Sequence, residues 1–266
     1  MGVRPLASEY ADPRGRMQPV ARRGLTIHTA GMGKRIVVAA GAVAVALVVV
    51  GVLLQLRPGG SPAPAPTALG REAVLLIPGY GGDPAPLGPL RSALRAQGYE
   101  VAVLDIGDGT GDLVDYAANA VQRAEELRGE GHAAVSSVGY SAGGVVGRIA
   151  ADQQPAAFDD VISLASPHAG TLWAALAGPN CPTACQQMRP GSALLASLPP
   201  APDPSDWLAV YSTADEIIVP ADSSALPGAT VLTLQSMTPD SVAGHGQVPG
   251  DPAVIDAVVT FLAAPD

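Results

Sequence analysis

The stretch GYSAGG, residues 139–144, lies between an aliphatic run, HAAVSSV (132–138), and a helical one, VVGRIAA (145–151). A strand that turns abruptly into a helix crowds the residues two before and two after the turn. Glycine carries no side chain there, so Gly139 and Gly143 allow Ser141 a strained backbone position with its hydroxyl exposed. The helix start adds free backbone N–H groups and a positive dipole end. G-x-S-x-G alone is a weak signal in a chain with 31 glycines. Its placement between strand and helix gives it force, and Ser141 is read as a nucleophile.

Working outward, the chain alternates short aliphatic runs with longer amphipathic ones. Strands are expected at 72–79, 99–107, 132–140, 158–167, 206–215 and 230–236. Helices are expected at 84–97, 112–129, 142–153 and near 252–264, with a loop-rich stretch over 169–205. Such alternation predicts an α/β fold with a mostly parallel, doubly wound sheet. Ligands of these sheets sit at the C-terminal ends of the strands.

A serine nucleophile needs a base, and the base an orienting carboxylate. His28 lies before an apolar segment, and His132 opens a strand at the end far from Ser141. His168 follows a strand and is expected at the rim of the site, either as a weaker alternative base or as a loop residue bonded to backbone. His245, in AGHGQ, follows the last strand. Its flanking glycines suggest a loop mobile enough to present an imidazole, so His245 is the expected base. Asp215 ends the fifth strand and is the expected acid. Asp222 and Glu216 are weaker alternatives, and Asp105 and Asp108 read as turn caps. Two N–H donors must face the serine. By position these are Ala142, next to it, and Tyr80 in the turn IPGYGG (77–82).

Outside this domain, residues 1–35 carry seven basic and two acidic side chains. A chain of −9 overall therefore carries −14 beyond residue 35. So acidic a body argues against nucleic acid as a partner, because phosphate binding needs a basic face. The segment IVVAAGAVAVALVVVGVLL (36–54) has no charged residue, and as a helix it would span roughly 28 Å, near bilayer thickness. With the basic residues on its N-terminal side, it is expected to be a signal-anchor over 36–56. That puts residues 1–35 in the cytoplasm as a tail without packed structure, and the remainder outside the cell. Secretion after cleavage is the alternative. The one nearby small-x-small site, Ala63-Pro64-Ala65, is followed by Pro66, which obstructs cleavage. Met32 offers a second possible start. Residues 57–70, RPGGSPAPAPTALG, read as an extended linker, leaving 71–266 as the folded domain. Cys181 and Cys185 make a poor metal site, and outside the cell a local disulfide is expected.

Taken together, IPGYGG, GYSAGG, ASPHAGT, YSTADEIIVP and GHG, in this order, resemble the small bacterial extracellular lipases and esterases of the α/β-hydrolase fold. They look like the class called lipase class 2 or triacylglycerol lipase, in what resembles an exported actinobacterial form. The resemblance covers about 71–266. It implies Ser141, Asp215 and His245 as catalytic triad, Tyr80 and Ala142 as oxyanion donors, an ester or lipid substrate, and no metal or organic cofactor. Ser166 stands where threonine is common in the family's TPHxG segment. CPTAC followed by QQMRPGSALL resembles a disulfide-pinned stretch of some members. Residues 169–205 are expected to form at most a small lid over a shallow site for short or medium acyl esters, in a monomeric enzyme. On the same fold, acyltransferase, thioesterase, polyester hydrolase and amidase are the alternatives. A non-catalytic anchored binding module would require a disabled site, yet every expected residue type is present.

Overall fold

A computed structural model describes residues 72–264. The expected tail 1–35, anchor 36–56 and linker 57–70 lie outside the described residues. Among the described residues no helix is long and apolar enough to cross a membrane.

Six strands form one sheet in the order β2-β1-β3-β4-β5-β6. They are β1 (Glu72–Ile77), β2 (Glu100–Val103), β3 (Ala134–Tyr140), β4 (Asp160–Leu164), β5 (Asp206–Tyr211) and β6 (Thr230–Thr233). Every neighbouring pair is parallel. The main helices are α1 (Gly88–Gln97), α2 (Leu113–Gly129), α3 (Ala142–Gln153) and, at the C-terminal end, Pro252–Leu262.

The four inner strands, β1, β3, β4 and β5, are buried on both faces, which is why they read as largely apolar runs rather than alternating ones. In β1, Ala73, Leu75 and Ile77 join a core with α2 and α3, while Val74 and Leu76 join another with α1 and the C-terminal helix. On α2 the inward positions Ala117, Ala120 and Ala124 are fully buried. Their small side chains let α3 approach, and α3 itself is buried from Ala142 to Ala151.

Chain order puts β1 in the sheet interior, sends β2 to the edge, and returns β3 to the other side of β1. The strand order therefore reverses between β1 and β3, the place where such sheets open a crevice for ligands. The loop after β1 and the turn after β3 both lie there. A Cβ on Gly79 would sit 3.0 Å from the Ser141 Cβ.

Several strands are shorter than the sequence suggests. The runs 99–107, 158–167 and 206–215 include the loops that leave β2, β4 and β5, because apolar character continues into loops packed over the sheet edge. The last run divides into β6 and a one-turn helix, α7 (Leu234–Met237). The stretch 169–205 holds three five-residue helices, α4 (Leu172–Leu176), α5 (Thr183–Gln187) and α6 (Ala193–Ser197). The C-terminal helix is α8. Asp105 and Asp108 are turn caps as expected, accepting from the N–H groups of Gly107 and Thr110.

Candidate active site

Ser141 adopts φ 55°, ψ −122°, a region that non-glycine residues avoid without compensation. Its neighbours hold it there. The Ser141 N–H donates to Leu164 O at 2.8 Å, and its carbonyl accepts from Gly144 N at 3.1 Å. A Cβ on Gly139 would collide with the Gly143 carbonyl, and one on Gly143 would lie 2.6 Å from Pro78 O. The glycines are thus required by backbone on both sides of the turn.

The structure brings Ser141, His245 and Asp215 into one chain of hydrogen bonds. His245 Nε2 lies 3.0 Å from Ser141 Oγ, and Nδ1 lies 2.8 Å from Asp215 Oδ2. A carboxylate only accepts, so Nδ1 carries the proton and Nε2 is left to accept from the serine hydroxyl. The Asp215 side chain is buried, and its Oδ1 accepts from the N–H groups of Ile217 and Ile218 at 2.9 and 2.8 Å. With both oxygens bound, the carboxylate is held against the imidazole. An imidazole so held can take the hydroxyl proton as the oxygen attacks.

His245 lies in a helical turn rather than an open loop. It opens a 3-10 helix, His245–Gly250, and its ring lies beside Tyr140 with centroids 5.1 Å apart. The Tyr140 hydroxyl donates to His245 O at 3.4 Å. Burial, then the negative Asp215 and Glu216, push that phenol up to about 12, so it stays a donor.

Among the described residues the Tyr80 N–H has no backbone acceptor, and the Ala142 N–H opens α3, where no intrahelical partner exists. The Tyr80 turn is built on glycine. Gly81 and Gly82 have φ of 94° and 68°. A Cβ on Gly109 would approach Gly82 N to 2.6 Å, so the loops after β1 and β2 close on each other without side chains.

The remaining candidates separate. Asp222 lies in a 3-10 turn, Ala221–Ser224, without a bond to His245. The Glu216 carboxylate meets the His245 backbone N–H at 3.0 Å, not the imidazole. His168 is not at the rim and not bonded to backbone through its ring. It is buried, with Nε2 2.9 Å from Ser163 Oγ and no partner for Nδ1 among the described residues. Burial, aided by Arg148, pushes it down to about 3. His132 lies at the far end of β3, half-buried.

Beside Ser141 is a cavity of about 350 Å³. Its walls are apolar side chains of Trp173, Ala174, Ala177, Met188, Ile217 and Ile218, together with the Cys181–Cys185 disulfide. Sequence reasoning missed this wall because its members are scattered singly through a Pro/Gly-rich stretch. It also missed Arg148, buried in α3, which donates to His168 O, Leu198 O and Pro199 O at 3.2, 3.0 and 2.9 Å. That clamp fixes both ends of the stretch that holds the three short helices to α3, the helix that follows Ser141. Among the described residues no group of three or more His, Cys, Asp or Glu is placed to hold a metal ion.

Comparisons by sequence with family models and with curated proteins return no match. Solved structures do match. Aspergillus fumigatus lipase B superposes with a TM-score of 0.66 at 20% identity, over 76% of this chain and 55% of that one. The chain thus spans little more than half the length of that lipase. The mature form of Bacillus licheniformis lipase BlEst2 gives 0.60 at 17% identity, over 77% of this chain and 97% of the other. The metagenomic carboxyl esterase MGS0156 gives 0.52 at 18%, over 77% and 79%. The fold is that of the α/β-hydrolases.

Proposed function

We propose that this protein is a serine hydrolase of carboxylic esters with an apolar acyl group. The observation that carries this reading is the Ser141–His245–Asp215 hydrogen-bond chain, placed at the mouth of an apolar cavity. Ser141 Oγ attacks the ester carbonyl as its proton passes to His245 Nε2. The N–H groups of Tyr80 and Ala142 stabilise the oxyanion. The C–O bond to the alcohol breaks, and the imidazolium returns its proton to the leaving oxygen. Water then attacks the acyl-serine, again losing a proton to His245. The acid departs and Ser141 regains its hydrogen. Asp215 holds the ring tautomer and stabilises the imidazolium.

The cavity argues for medium acyl chains. At about 30 Å³ per small group in a liquid, its volume of about 350 Å³ has room for about a dozen such groups, a medium acyl chain together with part of the alcohol, within the usual range of ligand sites. The apolar segment 36–54 supports a membrane-tethered enzyme with its catalytic domain outside the cell, and CPTAC fits an oxidising compartment.

The test assays the full chain and its Ser141→Ala variant with p-nitrophenyl esters from acetate to palmitate. We expect hydrolysis peaking between hexanoate and decanoate, falling by roughly 10³-fold or more in the variant. Equal activity in parent and variant would remove Ser141 from the mechanism. A folded parent inactive on every ester would refute the hydrolase reading.

A further inference from the structure

Glu216 sits between the two functional halves of the site. Its side chain is exposed, so burial does not explain its geometry. Oε2 accepts from the His245 backbone N–H at 3.0 Å. Its own carbonyl accepts from the Trp173 indole Nε1 at 2.7 Å, and Trp173 is a wall of the cavity. The loop that carries Glu216 is tied to the same wall nearby. Thr171 Oγ1 donates to Ile217 O at 2.6 Å, and Leu172 N donates to Val219 O at 2.8 Å.

The residue preceding the histidine fits this contact. A Cβ on Gly244 would lie 3.0 Å from Glu216 Cδ and closer still to Oε2. The carboxylate therefore occupies the space a side chain at 244 would need. The Gly244 N–H is taken by Gln247 Oε1 at 2.9 Å, which leaves the carboxylate to the N–H of His245 itself. An N–H bonded to a charged acceptor is stronger than one bonded to a neutral group, and this bond fixes the backbone that aims the imidazole.

We infer that Glu216 is a positioning residue: its carboxylate anchors the main chain of His245, and its carbonyl, through the Trp173 indole, ties that anchor to the wall of the acyl cavity. The inference rests on the hydrolase reading above. It makes the placement of Nε2 against Ser141 depend on a side chain that touches neither substrate nor imidazole. Misplacement of a base by a fraction of an ångström lowers the rate of the chemical step without weakening substrate binding.

The experiment measures kcat and KM on p-nitrophenyl octanoate for the full chain and for E216A, E216Q and W173F. Thermal unfolding and labelling of Ser141 by a fluorophosphonate are followed in parallel. E216A should lose about tenfold in kcat and in labelling rate, with KM within twofold and the unfolding midpoint little changed. E216Q keeps an oxygen that can accept the same N–H and should recover to within about threefold of the parent. W173F keeps an aromatic ring in the wall but cannot donate to Glu216 O, and should lose a few-fold in kcat. Unchanged kcat in E216A overturns the proposal. So does equal loss in E216A and E216Q, which would make the charge and not the bond responsible, or a loss carried wholly by KM. A parent that neither hydrolyses esters nor labels at Ser141 would remove the hydrolase reading and this inference with it. An active, labelling parent beside an unimpaired E216A removes this inference alone.

Discussion

Replacing His168 by glutamine should flatten the acid side of the stability curve. In the folded chain the ring is buried against Ser163 and near the Arg148 guanidinium, which together hold its pKa down to about 3 from an ordinary 6.5. The unfolded chain, with His168 in water, takes up a proton as pH falls below about 6.5, while the folded chain refuses it until about 3. The unfolded state then binds more protons, so stability rises with pH across this window. It is complete above about 6.5 and declines steadily below. Linkage gives about 1.4 kcal/mol per pH unit well inside the window, hence about 2 kcal/mol lost between pH 7 and pH 5 from this one group. For a folded unit of this size that corresponds to about 4–8 °C in Tm. The assay is thermal unfolding of the full chain at pH 7, 6 and 5, for parent and His168→Gln. The variant's absolute Tm is immaterial, because the comparison is between slopes. The variant should lose less with acid than the parent by the amount given. Identical slopes would show that His168 is protonated in the folded state or already perturbed in the unfolded one, and would sink the argument.

Two further outcomes follow from the insert that walls the cavity. Arg148→Met removes the donor to three carbonyls, those of His168 and Leu198 buried and that of Pro199 part-buried, and should destabilise by about 3 kcal/mol, lowering Tm by about 6–12 °C; a midpoint within 1 °C of the parent, by calorimetry, would rule the clamp out. Reducing the Cys181–Cys185 disulfide removes a short-loop constraint of about 2 kcal/mol and loosens one wall of the cavity. KM for octanoate should therefore rise while KM for acetate holds. Steady-state kinetics with and without reductant checks this, and a parallel rise on both esters would count against the wall assignment.

The elements most legible in the sequence were those governed by local rules. The turn at Ser141 could be read because backbone crowding on both flanks demands glycine at 139 and 143. Strands buried on both faces announce themselves as aliphatic runs, and α3 begins at the residue expected, Ala142. Asp215 and His245 could be placed by chain order, because a parallel sheet sends successive loops to one edge. What stayed hidden depends on distant partners. Glu216 resembles a spare acid in sequence, and only the fold shows its carboxylate on a backbone N–H 29 residues away. His168 sits after a strand like a rim residue, and nothing local reveals that the chain folds back over it. Arg148 within an otherwise apolar helix hints at a buried cation, but its carbonyl partners come from 20 to 51 residues on. The short helices of 169–205 lack the length for a periodic signal, and their proline and glycine content conceals them.

The loop from Asp215 to Val219 orients the acid through the N–H groups of Ile217 and Ile218 and turns the side chains of the same two residues into the cavity. On the proposed hydrolase reading, substrate preference and proton handling would therefore be written into one short segment. A drift in acyl preference through Ile218 risks disturbing the carboxylate that orients the base. The wall contributed by Ala177 and Met188 bears no such obligation. Divergence toward new chain lengths, whether by natural variation or by an engineer, has its freer path through the short helices, while the acid's loop is the more conservative side of the pocket.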